Sequence, residues 1–217
     1  MFSVLNMRSV DLTATAKIRD AAIDQFGRHG FSVSVRAIAE AAGVSAALVI
    51  HHFGSKDGLR KACDKFVAEE IRSGKSEAMR SADPGTWFAA MAEIESYASM
   101  MAYLVRSMQS GGELADTLWR RMIDNAEGYL DEGVRAGTLK PSRDPKARAR
   151  FLAMNNGGGF LLYLQMHENP TDLRAVLRDY ARDMVLPALE LYTEGLMTDR
   201  TMYDAFLATE QGGSDAT

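Results

Sequence analysis

Residues Phe31 to Leu59 read FSVSVRAIAEAAGVSAALVIHHFGSKDGL. Two short helical patterns lie in this stretch, joined by Ala42-Gly43-Val44. In the first, which follows Ser34, the residues Val35, Ile38, Ala39 and Ala42 share one face at the step of an α-helix. Gly43 stops it, because glycine enters the left-handed region without a Cβ penalty. In the second, Ser45 offers a side-chain oxygen to the first free backbone N–H groups, and Leu48, Val49 and His52 follow. Phe53-Gly54 closes that helix. Ser55 caps the next, with Asp57 in its first turn, where negative charge suits the helix dipole. Two short helices at a tight glycine corner, with Val44 able to plug the space between them, make a helix-turn-helix. Such a unit presents its second helix to the major groove of duplex DNA. The capped end brings free N–H groups to the phosphates.

Helical periodicity continues on both sides of this stretch. Ahead of it, Ile18, Ala22 and Phe26 step by four, which predicts a helix over 13–28, capped by Thr13 or Thr15 and ended by His29-Gly30. Behind it, Leu59, Ala62, Cys63, Phe66 and Val67 carry the fourth helix to about Ile71, and the polar run Arg72–Asp83 follows. Further helices are predicted over about 85–108, 114–136, 145–166 and 170–196, with Pro187 bending the last. No alternating strand pattern or internal repeat is found. The expected fold is all-α, with about nine or ten helices. A helix-turn-helix head (1–54) precedes a larger helical regulatory and dimerisation body (55–210), helix 55–72 links the two, and 211–217 form a disordered tail.

The bulk numbers agree with a globular chain. Of 217 residues, 47 % are apolar and 25 % charged. The net charge of −4 argues against indiscriminate coating of nucleic acid. Residues 1–61, however, carry eight Lys/Arg against five Asp/Glu, so the front is mildly basic and the remainder acidic. One cysteine, Cys63, rules out an intrachain disulfide and a multi-cysteine zinc site. The N-terminal segment lacks the apolar run of a signal peptide, and no stretch of about 18 uncharged apolar residues would span a bilayer. A cytoplasmic location is expected.

Ala-Gly-Val-Ser between helices is common, and the longer string is what decides. Residues 13–59, above all Ile38-Ala39, Ala42-Gly43-Val44-Ser45, His52-Phe53 and Ser55-Lys56-Asp57, resemble the N-terminal signature of the TetR family of transcriptional regulators. The rest of the chain resembles that family only in length and helix count. The resemblance implies a ligand-responsive repressor, no enzyme and no cofactor. It would bind a palindromic double-stranded operator as a homodimer joined through helices near 145–166 and 170–196, and a small-molecule effector would release it. Carried over position by position, Ser34 and Arg36 would meet DNA from the supporting helix. Ser45, Ala46, Ala47, Leu48, Ile50 and His51 would form the reader helix, and Lys56 would meet phosphate. His52 is read as packing at the helix junction. The chain departs from the family pattern at Ala47 (often Gly), Val49 (often Leu) and Ile50 (usually Tyr). The last change removes a phosphate hydrogen-bond donor and leaves an apolar reader surface. Such a surface can touch thymine methyl groups but cannot form bidentate bonds to guanine.

The body is rich in large, soft side chains. Trp87, Met91, Met101, Trp119, Met122, Phe160 and Tyr163 are the candidates to line an effector site for an apolar or aromatic molecule. For any one of them plain core packing is the alternative, and it is the resemblance that argues for a pocket among them. Gly157-Gly158-Gly159 within a helix costs roughly 1 kcal/mol per glycine relative to alanine. Close approach at a dimer interface, an unwound pocket wall and a simple kink all remain open. No pair of histidines stands at metal-binding spacing, so no metal is expected. No catalytic constellation is visible either: Asp124 with Glu127 reads as a solvated face, and Cys63 as a core residue. The alternative function is a helical interaction or ligand-carrier protein that retains the head.

Overall fold

The computed structural model describes the backbone of residues 4–213 and the side chains of 13–209. Every regular element among them is helical. α1 spans Val4–His29, α2 Val35–Ala42, α3 Ala46–Phe53 and α4 Lys56–Arg80. α5 (Pro84–Ala92) passes through a 3-10 turn at Ile94–Tyr97 into α6 (Ala98–Ser110). α7 (Gly112–Ala136), α8 (Pro145–Met166), α9 (Leu173–Thr193) and α10 (Thr201–Gly213) complete the chain.

Side-chain caps set most of these starts. Ser34 accepts from the Ala37 N–H, Ser45 from Leu48, Ser55 from Gly58, and Asp144 from Ala147, at 2.9–3.2 Å. Pro84 and Pro145 stand in first turns, where a missing N–H costs nothing. α1 begins earlier than predicted, so Thr13 and Thr15 lie within it rather than capping it.

The chain forms two compact units, residues 1–178 and 179–217. The proposed head–body boundary near residue 54 falls inside the first. There α1 packs on α2, α4 and α6, α4 lies along α7, and α7 packs on α8. The core around the head is one cluster: Ile18, Ala22, Phe26, Ile38, Val49, Leu59, Cys63, Val67 and Tyr103 are all fully buried. Ala68, Leu104 and Leu118 form a second cluster, flanked by Met101, Met108 and Met122. Ala126, Leu130 and Ala149 join α7 to α8. The second unit holds the rest of α9, with Pro187 inside it, and α10.

Besides α1, three elements differ from the sequence-based prediction. α4 runs to Arg80, through a stretch whose polarity suggested an end near Ile71. Arg72 and Arg80 both reach Glu132 of α7 (3.3 and 3.7 Å), and Thr138 donates to the Met79 carbonyl, so a polar turn is held by a neighbouring helix. The predicted helix over 85–108 breaks at Glu93, whose carbonyl accepts from both the backbone and the hydroxyl of Ser96 (2.9 and 2.7 Å), tightening the chain into a 3-10 turn. A helix also occupies Thr201–Gly213, so the first three residues of the expected disordered tail, 211–213, are helical. Of the tail assigned to 211–217, residues 214–217 lie outside those described.

Candidate nucleic-acid interface

The corner between α2 and α3 turns on Gly43, at φ 67° and ψ 34°. Its N–H donates to the Glu40 carbonyl (3.0 Å), and that of Val44 donates to Ala39 (2.9 Å). These bonds satisfy the last carbonyls of α2. Val44 is half-buried against the head core. With Val49 fully buried as the anchor of α3, the helical step of about 100° per residue decides which side chains face outward. Ser45, Ala47, Ile50 and His51 are exposed, Ile50 to 44 %. Ala46 and Leu48 were expected to be exposed on this helix too. Both are half-buried against the core, on the flanks of Val49.

Ser34 and Arg36, at the start of α2, are exposed. Lys56, the first residue of α4, is half-buried and shares a cleft of about 110 Å³ with Phe26, Phe31, Asp57 and Arg60. His51 packs edge-on to His52 at 5.4 Å, and the His52 Nδ1 lies 3.4 Å from the Thr15 hydroxyl. His52 thus ties α3 to α1, while His51 faces solvent.

The seam joining α4, α1 and α6 was not singled out from the sequence. The Tyr103 hydroxyl lies 2.6 Å from Asp64 Oδ1 and 3.2 Å from the Arg60 carbonyl oxygen. It has one proton, and the carboxylate is the stronger acceptor. Asp64 is only 8 % exposed. Burial raises its pKa, while the Tyr103 hydrogen bond and the Arg60 and Arg121 guanidinium groups pull the other way. Burial, together with the charge of Asp64, pushes the Tyr103 phenol well up, so it remains a donor. Burial first, and Asp64 second, push the Cys63 thiol up to about 12. Arg60 lies over the Phe31 ring at 3.6 Å. Phe31 meets Tyr103 edge-on at 5.7 Å. A Cβ on Gly27 would sit 2.9 Å from Ala102 Cβ, so α1 and α6 touch backbone to backbone there. A polar residue in the Leu59–Val67 stripe was the one sequence signal of this seam. Its partner lies 39 positions away.

The effector candidates are spread over several elements. Met101 and Met122 flank the Leu104–Leu118 cluster, and Phe160 is buried. Tyr163 packs on His167 at 6.0 Å, while Trp87 and Met91 are half-buried on α5. Trp119 packs across Gly157, where a Cβ would come within 2.8 Å of the indole. α8 runs unbroken through all three glycines, and nothing lies within 4 Å of a Cβ placed on Gly158 or Gly159. A groove of about 430 Å³ is lined by Leu196–Asp199, Thr201 and Met202. None of the seven candidates lines this groove or the cleft at Lys56.

Comparison with known proteins places this geometry. Residues 18–63 match the family of bacterial regulatory proteins of the tetR type, and residues 95–198 match the tetracyclin repressor-like C-terminal domain. The HTH-type transcriptional regulatory protein RaaS of Mycobacterium tuberculosis is 80 % identical over 207 residues, covering 95 % of this chain and 98 % of RaaS. The chain belongs to the TetR family. It is a DNA-binding transcriptional regulator. Among the described residues no group of three or more His, Cys, Asp or Glu could hold a metal ion, and no helix is long and apolar enough to cross a membrane. The HTH-type transcriptional dual regulator CecR of Shigella flexneri also matches, 39 % identical over 64 residues, or 28 % of this chain and 29 % of CecR. Among solved structures, SmeT, the repressor of the Stenotrophomonas maltophilia multidrug efflux pump SmeDEF, superposes with a TM-score of 0.53 at 22 % identity, covering 80 % of this chain and 89 % of SmeT. It shares this chain's fold.

Proposed function

We propose that this regulator is a repressor that binds a palindromic operator as a homodimer and is released by a small apolar or aromatic effector. The observation that carries the DNA-binding half is the exposed stripe Ala47, Ile50 and His51 on a short helix anchored by Val49 and flanked by Ser34, Arg36 and Lys56. Arg36 and Lys56 supply phosphate contacts, Ile50 and Ala47 meet thymine methyl groups, and His51 reaches a base edge. Ser34 and Ser45 use their side-chain oxygens as caps, so they approach phosphate through the hydroxyl proton. One head offers few contacts. Two heads about 34–36 Å apart on a two-fold axis give useful affinity and a two-fold operator.

Exposed apolar side chains support the dimer. Phe151 (66 %), Leu162 (58 %) and Met166 (77 %) stand on α8, and Leu186 (73 %) and Tyr192 (54 %) on α9. Effector release is supported by the methionine-rich second cluster and by the fold neighbour SmeT, solved as a complex with triclosan. The ligand acts by preferring one arrangement of the body, to the extent of its differential affinity.

Genomic footprinting, followed by titration of the protected duplex, tests the reading. Saturable, salt-sensitive binding to a two-fold site is expected. Replacing thymine by uracil across a half-site should weaken it. Binding indifferent to sequence would overturn the reading, and unchanged affinity for the uracil duplex would remove the methyl contact.

A further inference from the structure

Only Gly54 and Ser55 separate the end of α3 from Lys56 at the start of α4, and the Ser55 N–H donates to the Phe53 carbonyl at 2.8 Å across that junction. A Cβ on Gly58 would run into the Phe53 carbonyl, so the first turn of α4 lies directly against the end of the reader helix. Two features act on that turn in opposite senses. On one side, the cleft of about 110 Å³ between Phe26, Phe31, Lys56 and Arg60 leaves it incompletely packed. On the other, a closed ring of contacts holds it. Arg60 lies over Phe31, Phe31 meets Tyr103, and the Tyr103 hydroxyl returns to Asp64, one turn beyond Arg60 on α4. Tyr103 is fully buried and belongs to α6, which itself touches α1 at Gly27. Arg60 also donates to the Ser110 hydroxyl at the end of α6 (3.1 Å), so the start of α4 is tied to α6 at an exposed point and, through Tyr103, at a buried one.

We infer that Tyr103 is a positioning residue for DNA binding: its hydroxyl on Asp64 and its ring on Phe31 fix the bearing of Lys56 and α3 relative to α6. The inference rests on the DNA-binding role proposed above. A bond between a phenol and a desolvated carboxylate suits this task, because it is short, directional and hard to replace with water. Removing the hydroxyl leaves the aromatic packing in place, takes the directional restraint from α4 and deprives the Asp64 carboxylate of that donor.

The test uses the full-length protein and the variants Tyr103→Phe, Asp64→Ala and Asp64→Asn. One readout is hydrogen–deuterium exchange at the amides of 55–59, and the other is affinity for the duplex footprinted by the wild-type protein. For Tyr103→Phe and Asp64→Ala we expect exchange to quicken and affinity to fall several-fold, up to about tenfold, because only the part of the bond's free energy that holds α4 in place before DNA binds reaches the affinity. Asp64→Asn should retain wild-type exchange and affinity, since its amide oxygen still accepts. Wild-type exchange and binding in Tyr103→Phe would overturn the inference, as would losses that merely follow melting temperature through all three variants. If Tyr103→Phe does not fold, the contrast between Asp64→Ala and Asp64→Asn decides. A wild-type protein that protects no duplex would sink the repressor reading, and the exchange measurement would still judge Tyr103.

Discussion

Ile50 occupies the position where the TetR pattern usually has a tyrosine, and it is the most exposed large apolar side chain of α3. Ile50→Tyr should restore a phosphate hydrogen bond and tighten duplex binding by about three- to tenfold, measured by anisotropy. Lys56→Ala should weaken all sequences alike and lower the slope of log affinity against log salt by about 1, the share of a single phosphate. A change in sequence preference would instead make Lys56 a base reader. At Cys63, a thiol held up to about 12 inside the core should resist alkylating reagents at pH 8 until the protein unfolds. Fast labelling of the native protein would contradict that. Asp64 makes a prediction about pH. Its folded pKa is raised, so the folded state keeps the proton to a higher pH than the unfolded chain does, and charged Asp64 destabilises the fold at neutral pH. That penalty is relieved as pH falls through the raised value towards the ordinary 3.8. Asp64→Asn should therefore melt at or above wild type at pH 7, and the advantage should shrink towards pH 4.

The helices differed in how plainly they could be read. α2 and α3 were legible almost to the residue, because Ser34, Gly43, Ser45 and Gly54 mark their ends with local chemistry. The end of α4 was not, because it depends on Glu132 and Thr138, which lie more than fifty residues further on. The apolar period of 88–105 correctly showed helix but hid the break at Glu93, which one hydroxyl decides. At the site, exposure of Ala47, Ile50 and His51 followed from helical spacing. The half-burial of Ala46 and Leu48 required knowing that Val49 points at the centre of the core. The three glycines of α8 separate into two kinds. Gly157→Ala drives a methyl group into the Trp119 ring and should destabilise by about 1–3 kcal/mol, offset in part by about 1 kcal/mol of helix propensity. Gly158→Ala and Gly159→Ala meet open space within the protomer and should stabilise it by up to about 1 kcal/mol each. Thermal melts at low concentration report the protomer term. If these two glycines also permit close approach of a second α8, the same variants should dissociate more readily at equal protomer stability.

For the assembled molecule, the exposed apolar residues of α8 give the clearest handle. Leu162→Glu places a charge on the surface proposed to meet a second copy, and it should shift sedimentation from dimer to monomer while the helical signal is retained. Such a monomer should lose most of its operator affinity, because each head alone makes few contacts. A monomeric variant that still binds the full operator tightly would refute the two-headed arrangement. The cluster that shelters Ile18, Phe26, Ile38 and Val49 also draws on Leu59, Cys63 and Val67 from α4 and on Tyr103 from α6. The reading module is thus not self-contained at residue 54. A hybrid regulator cut there would inherit a hollow where four foreign side chains must fit, whereas an exchange made beyond α4, with residue 103 brought along, would carry an intact interior to its new host.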